Sequence, residues 1–167
     1  MSLLLLILLP LDPPANWHWY QTEDKRLSLA FPTKPVEQTK SQKMSQGDTT
    51  VTTITIPRTR VDEAGFVLTW FDFKRPKIEE AEIKQYLQGV EQGSINSKQG
   101  RRLNTRSINF DKYHGREFTW RIETGYIRTQ LFMIKARFVT LMYMAETEQA
   151  LSSQEAQLFF SSLKVKE

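Results

Sequence analysis

Two long apolar runs in the last third of the chain constrain its fold more than any other feature. Residues 126–135 and 137–143 are rich in aliphatic and aromatic side chains, and a single position separates them. Within the first run, residues 131–134 are all apolar. Because successive side chains of a strand point to opposite faces of a sheet, this stretch places apolar groups on both faces. The two runs therefore predict a strand hairpin in a sheet that is covered on both sides.

A helix is predicted soon after this hairpin, at about residues 152–162. Ser152 and Glu155 have the spacing of a capping box, in which the two side chains satisfy backbone N–H groups of the first turn. The apolar positions that follow recur at helical spacing. They are Ala156, Phe159, Phe160 and Leu163.

An earlier helix is predicted at about residues 78–92. Pro76 suits a position at its start, and Gly93 suits a position just past its end. Apolar residues recur in this segment at positions i, i+3, i+4 and i+7. They are Ile83, Tyr86, Leu87 and Val90.

The remaining apolar segments are predicted to be strands joined by short connections. In the first half they lie at residues 17–20, 27–31, 49–56 and 65–73. In the second half they lie at residues 101–108, 113–123, 126–135 and 137–144, which favours an antiparallel meander. The polar stretch 38–48 is expected to be a loop or a hairpin tip. The predicted fold class is α+β, an antiparallel sheet sandwiched by helices in an α/β/α arrangement.

One strand of the meander makes a specific prediction about burial. Phe118, Trp120 and Ile122 alternate with polar residues, so these three side chains are expected to be buried. The intervening polar side chains are expected to be mostly exposed. They are Glu117, Thr119, Arg121 and Glu123.

The length of 167 residues suits one domain, which we expect at residues 16–167. Residues 1–15 contain an unbroken leucine and isoleucine run at 3–9, which is too short to span a bilayer but has the length of a signal-peptide core. An extra buried strand is the alternative interpretation. We interpret the segment as the remnant of an export signal or an anchor. The expected location is extracytoplasmic, with the N-terminal segment as a membrane tether.

The sequence contains no motif of a nucleophile, a metal cluster or a phosphate-binding loop. It has no cysteine, which excludes disulfides, thiolate zinc sites and cysteine nucleophiles. Its two histidines, His18 and His114, are isolated from each other and lack the spacing of metal ligands. We therefore expect no catalytic residues, no metal site and no cofactor.

The basic residues concentrate at one place in the chain. They are Lys98, Arg101, Arg102 and Arg106. Such a group is a candidate anion site or a docking patch for an acidic partner, with a solvated strand and turn as the plain alternative. Aromatic residues are not interleaved within it, so nucleic acid is not expected as a partner.

Short motifs distributed over residues 17–165 resemble small exported bacterial proteins of the PsbP-like superfamily. The motifs are Trp17-x-x-Tyr20, Phe31-Pro32-x-x-Pro35, Gly115-Arg116-Glu117, Arg137-Phe138 and Phe159-Phe160-x-Ser162-Leu163. That superfamily includes the extrinsic protein P of photosystem II, a Ran-binding nuclear import factor and the envelope lipoprotein DcrB. The chain departs from the lipoprotein branch because it has no lipobox cysteine, and the metal-binding residues of the photosystem protein have no counterpart that we can place here.

The resemblance implies an α/β/α sandwich and a role without catalysis. We expect a non-enzymatic exported domain that binds a protein partner, which is itself membrane-associated, or that assists the assembly of an envelope or membrane complex. A carrier of a lipid or an apolar small molecule, held in a cavity between sheet and helix, is the alternative, because not all of the many aromatic residues need belong to the core. A monomer is the default oligomeric state.

Overall fold

Residues 12–44, 47–57, 63–75 and 78–166, which the computed structural model describes, form a seven-stranded antiparallel sheet, a three-stranded antiparallel sheet and two α-helices. The apolar run at residues 3–9 and the predicted helix-starting Pro76 lie outside the described residues. No helix in the described part of the chain is long and apolar enough to span a membrane.

The elements follow one another with short connections. The strands of the first half are β1 (His18–Gln21), β2 (Leu27–Phe31), β3 (Val36–Met44), β4 (Gly47–Thr55) and β5 (Gly65–Asp72). The first helix, α1 (Glu80–Ser97), is followed by β6 (Arg101–Phe110), β7 (Tyr113–Ile122), β8 (Gly125–Ile134) and β9 (Arg137–Ala145). A 3₁₀ turn (Gln149–Ser152), α2 (Gln154–Ser161) and β10 (Lys164–Val165) complete the chain.

The strand order of the large sheet is β3-β4-β5-β9-β8-β7-β6, and that of the small sheet is β1-β2-β10. Strands β6, β7, β8 and β9 form the predicted antiparallel meander. The other edge of β9 pairs with β5, which is distant in the sequence. α1 connects β5, in the middle of the sheet, to β6 at its edge. The helix therefore crosses one face of the sheet.

The two faces of the large sheet are covered by different layers. Leu87 and Ile95 of α1 pack on one face, whose buried residues are Val51, Phe71, Phe118, Trp120, Ile127, Leu131, Met133 and Phe138. On the opposite face lie the small sheet and α2, where the ring of Phe159 is 5.6 Å from Phe31 and 5.2 Å from Phe66. The predicted cover on both faces is thus present, but one layer is a small sheet with a short helix and not helices alone.

α1 continues beyond the predicted end. Gly93 lies inside the helix and not after it, and a Cβ at this position would meet nothing within 4 Å. The helix runs on to Ser97 because Ile95, one turn further, is buried against the sheet. Burial of an apolar side chain outweighs the weak helix propensity of one glycine.

The N-terminus of α2 also differs from the prediction. Its N-cap is Ser153, whose Oγ accepts a hydrogen bond from the backbone N–H of Ala156 at 3.2 Å. Ser152 belongs to the preceding 3₁₀ turn, so the predicted capping box of Ser152 with Glu155 is wrong. Such a box does occur at α1, between Glu79 and Glu82.

The polar stretch expected to be a loop is largely a strand. β3 pairs with β4 along its whole length, and its side chains are almost all exposed. An edge strand of this kind is held by backbone hydrogen bonds from one neighbour and needs no apolar face. Its sequence therefore carries no hydrophobic alternation by which it could be predicted.

The alternation predicted for β7 is confirmed for Phe118, Trp120 and Arg121, while Ile122 is half-buried and Thr119 is also half-buried. Glu117 is only 7% exposed, so its predicted exposure is wrong. The reason lies on the second face of the sheet. That face is covered by other elements near Glu117, and its carboxylate is neutralised there by arginines.

Candidate functional site

The four predicted basic residues lie where α1 ends and the edge strand β6 begins, but they do not form one surface. Lys98 is the C-cap residue of α1, and the other three lie on β6. Arg102 is the register partner of Trp120, on the face covered by α1, whereas Arg106 is opposite Glu117 on the other face. The register of β6 shifts between Arg102 and Asn104, and this irregularity places the two guanidinium groups, four residues apart, on opposite sides of the sheet.

Arg102 belongs to a cluster around Glu91, a carboxylate on α1 that is 1% exposed. Arg102 Nε lies 2.7 Å from Glu91 Oε1, an ion pair that lacks hydrogen-bond geometry. Arg116 Nε donates to Glu91 Oε2, and Thr105 Oγ1 donates to the same oxygen at 3.2 Å. Glu91 thus ties α1 to β6 and β7.

Arg106 belongs to a second cluster around Glu117. Arg106 Nη2 lies 2.6 Å from Oε1 of this carboxylate. Arg128 and Gln130 of β8 donate to Oε2 at 2.7 and 2.6 Å. Burial by itself raises the pKa of Glu117, but the hydrogen bonds from Gln130 and Arg128 and the charge of Arg128 outweigh it and lower the pKa.

Two of the four predicted residues remain as candidates for binding a partner. Lys98 and Arg101 are exposed and have no side-chain partner within the part of the chain that the structure describes. Arg102 and Arg106 keep part of their surface in solvent, but each neutralises a buried glutamate. The candidate docking patch is therefore best tested at Lys98 and Arg101.

A cleft of about 470 Å³ lies between the two sheets, at the end of the large sheet where β5 finishes and β8 turns into β9. It is positioned by four short pieces of chain: the start of β2, the end of β5, the β8–β9 turn and β10. Its lining residues are Arg26, Leu27, Asp72, Phe73, Ile134, Lys135, Ala136, Arg137, Val165 and Lys166. We call it the inter-sheet cleft.

Arg137 organises one wall of the inter-sheet cleft. Its guanidinium donates to Asp72 twice, from Nε and from Nη2, with both distances 2.7 Å. It also donates from Nη2 to Oδ2 of Asp24 at 2.7 Å, and its carbon Cζ lies 4.2 Å from the ring centre of Trp70. The planar, bidentate pairing with a carboxylate is a contact that arginine makes and lysine does not.

The pKa values of these groups follow from the contacts. Burial raises the pKa of Asp24, but hydrogen bonds donated by Arg137 and Thr22 outweigh burial and hold that pKa well below its usual range. Burial by itself lowers the pKa of Arg137. The hydrogen bonds to Asp72 and Asp24 outweigh burial, so the pKa is raised above its usual value. Asp24 and Arg137 are therefore both charged at neutral pH.

Two cations of the inter-sheet cleft are not used in this network. Lys135 and Lys166 are exposed, and neither has a side-chain partner among the described residues. Lys135 stands in the β8–β9 turn with φ of 56°, a left-handed conformation that is uncommon for a long side chain. No pattern in the sequence predicts this cleft, although Arg137 belongs to the motif Arg137-Phe138.

The histidines do not come together. His18 lies on β1 of the small sheet, and His114 lies on β7, where its Nε2 is 3.3 Å from Oε1 of Glu80. Within residues 12–44, 47–57, 63–75 and 78–166, no three His, Asp or Glu side chains converge as metal ligands would. In the three ion clusters, around Glu91, Glu117 and Arg137, each carboxylate is paired with an arginine.

The large sheet has one face under α1 and the other under the small sheet and α2, which is an α+β arrangement. The solution structure of cyanobacterial PsbP (CyanoP) from Synechocystis sp. PCC 6803 is similar to this chain, with a TM-score of 0.61. The match covers 90% of this chain and 92% of that chain at 10% sequence identity, so it establishes the fold. None of the family models and none of the curated proteins compared with the sequence matches it.

Proposed function

We propose that this chain is a non-enzymatic, exported accessory domain that binds a protein partner and assists the assembly of an envelope or membrane complex. The observation that carries the proposal is a pair of exposed basic side chains where the edge strand β6 begins. Arg101 begins β6, the outer edge strand of the large sheet, and Lys98 is the C-cap residue of α1 just before it. Neither has an acidic partner among the described residues. The PsbP-like fold is consistent with an accessory role, and the apolar run at residues 3–9 supports export.

β6 offers two features that an acidic partner segment could use. Among the described strands it pairs with β7 alone, so its other edge offers backbone groups to a further strand. Its ten residues contain three arginines and no acidic side chain. A partner strand with acidic residues would gain backbone hydrogen bonds and complementary charge together.

The test is retention of membrane-extract proteins on the immobilised domain. The variant is the double substitution Lys98→Glu with Arg101→Glu. The matched control is Lys40→Glu with Lys43→Glu, on the opposite edge strand β3. We expect the first double variant to lose a specific partner and the second to keep it. Retention should weaken as salt rises, because the charges involved are exposed and screened. A partner retained equally by both variants would contradict docking at β6.

The carrier alternative receives less support from the packing. Between the large sheet and the layer of α2, the rings of Phe31, Phe66 and Phe159 are in edge contact. On the other face, Phe73 and Phe138 each lie within 5.3 Å of Tyr86 of α1, measured between ring centres. These ring contacts fill part of the sheet–helix space, and the cavity that remains beside α1, lined by Phe73, Tyr86 and Met133 among others, has a volume of about 260 Å³.

A further inference from the structure

We propose that the inter-sheet cleft binds a small amphiphilic anion, with its carboxylate or phosphate head at the basic rim and a short apolar body on the floor. This inference is separate from docking at β6, because the two sites share no residue. Either can fail while the other stands.

The floor of the cleft is apolar. Leu27 and Ile134 are buried core residues whose outer atoms reach the cleft, and Phe73 and Val165 are half-buried beside them. The volume of about 470 Å³ lies within the range of about 300–1,000 Å³ that is usual for small-molecule sites. An apolar body of moderate size therefore has both room and a surface to cover.

The charges around the cleft favour an anion. Arg137 is satisfied by Asp24 and Asp72, and Arg26 lies 3.7 Å from Asp24. The carboxylates near the cleft are therefore already matched. Lys135 and Lys166 remain on the rim as cations without a protein counterion among the described residues. A ligand with one negative head group would supply that counterion.

The left-handed conformation of Lys135 follows from its place in the two-residue turn between β8 and β9. Its φ of 56° is one that glycine, asparagine or aspartate adopts more readily in a turn. Lys25, Gln99 and Asp111 adopt the same conformation between other elements, so it belongs to the turn and is not itself evidence of a ligand. Here the turn presents an ammonium group to the rim of the cleft.

The ligand test is an NMR titration of the ¹⁵N-labelled protein with decanoate, acetate and decyl glucoside. Decanoate should shift the amide signals of the lining residues and saturate at one site. Acetate, which has the head without the tail, and decyl glucoside, which has the tail with an uncharged head, should each bind at least about tenfold more weakly, a difference of about 1.4 kcal/mol. Equal binding of either control compound, or no shift at the lining residues, would overturn the proposal.

Two glycine substitutions separate binding from folding. Lys135→Gly removes the rim cation and places glycine at φ of 56°. Lys25→Gly makes the same change at φ of 60°, and the side chain of Lys25 does not line the cleft. Neither should destabilise the fold, since glycine suits both conformations. We expect Lys135→Gly and, separately, Lys166→Gln to weaken decanoate binding severalfold and Lys25→Gly to leave it unchanged. Equal effects of the two glycine variants would contradict the assignment.

A free amphiphile and a membrane lipid present the same chemistry to the cleft. Flotation with vesicles of phosphatidylglycerol, against vesicles of phosphatidylcholine, distinguishes these sources. If the protein floats with phosphatidylglycerol vesicles and Lys135→Gly abolishes this binding, the ligand is an anionic lipid. Without such Lys135-dependent binding to vesicles, decanoate binding assigns the site to a free amphiphile.

Discussion

Arg137, at the start of β9, and Asp24, in the β1–β2 turn, form an ion pair across 113 positions of the sequence, with 2.7 Å between Nη2 and Oδ2. The same guanidinium binds Asp72, its register partner on β5. Since Asp24 belongs to the small sheet and Asp72 to the large one, Arg137 joins the two sheets at the edge of the inter-sheet cleft.

Arg137→Met should lower the free energy of unfolding by about 2–4 kcal/mol, because removing one partner of a buried ion pair leaves charge uncompensated. This expected loss is smaller than the loss of about 3–5 kcal/mol for a fully buried pair, because both aspartates keep some exposure to water. Arg26→Met, at a side chain that is 66% exposed, should cost about 0–1 kcal/mol. Urea unfolding of the two variants measures the difference, and similar losses would contradict this role of Arg137.

Asp24→Asn should flatten the acid side of the stability profile. The pKa of Asp24 is depressed in the folded state, so its contribution is present above the unfolded pKa of about 3.9 and is lost as pH falls towards the folded pKa. Wild type should therefore lose more stability than Asp24→Asn when pH is lowered through about 4. The measurement is the unfolding free energy of both proteins over that range. If the unfolding free energies of the two proteins fall in parallel with pH, the pKa of Asp24 is not lowered in the folded state.

Phe160→Ala should cost about 3–5 kcal/mol, as is usual for deletion of a packed ring from a core. The ring is 7% exposed, makes an edge contact with Phe159 at 5.3 Å and lies under the guanidinium of Arg128 at 4.5 Å. Val36→Ala is the control, since Val36 is 43% exposed and surface changes stay within about 0.5 kcal/mol. A loss below about 1 kcal/mol for Phe160→Ala in chemical denaturation would place that ring outside the core.

The same glycine-to-alanine change should have opposite effects at two positions. A Cβ at Gly115 would lie 2.7 Å from the carbonyl oxygen of Leu131 and would also meet the ring of Phe132, so Gly115→Ala should destabilise the protein. Gly93 lies inside α1 in open space, so Gly93→Ala should stabilise it by about 0.5–1 kcal/mol. Thermal unfolding of both variants tests this, and a shift of the same sign would be against the packing described for β7.

Glu91→Ala should be costly because Arg116, its main partner, is largely buried. We expect a loss of about 2–4 kcal/mol, with the partly exposed Arg102 able to turn towards water. Glu80→Ala removes an exposed acid from the same helix and should cost about 0–1 kcal/mol. A double-mutant cycle of Glu91 with Arg116 measures their coupling energy, and a value near zero would rule out the ion pair as the link between α1 and β7.

Several parts of the fold could be predicted because the side chains repeat with the period of the element. Phe118 and Trp120 alternate along β7, and both are buried as expected. Leu87 belongs to the helical stripe of α1 and is buried as well. The buried carboxylates could not be predicted in this way. Glu117 alternates with apolar residues like a surface side chain, and its burial is possible because the folded sheet brings Arg106, Arg128 and Gln130 beside it.

By itself the sequence determined which segments are strands and helices with apolar faces, because that information is local and recurs every two or every three to four residues. It also determined that the central strands need cover on both sides, as residues 131–134 indicate. Only the tertiary structure decided that a small sheet supplies one of those covers, that β3 forms an edge, and that Asp24, Asp72 and Arg137 meet beside a cleft. These features depend on pairing between distant segments through backbone hydrogen bonds and single ion pairs, which leave no periodic pattern in the chain.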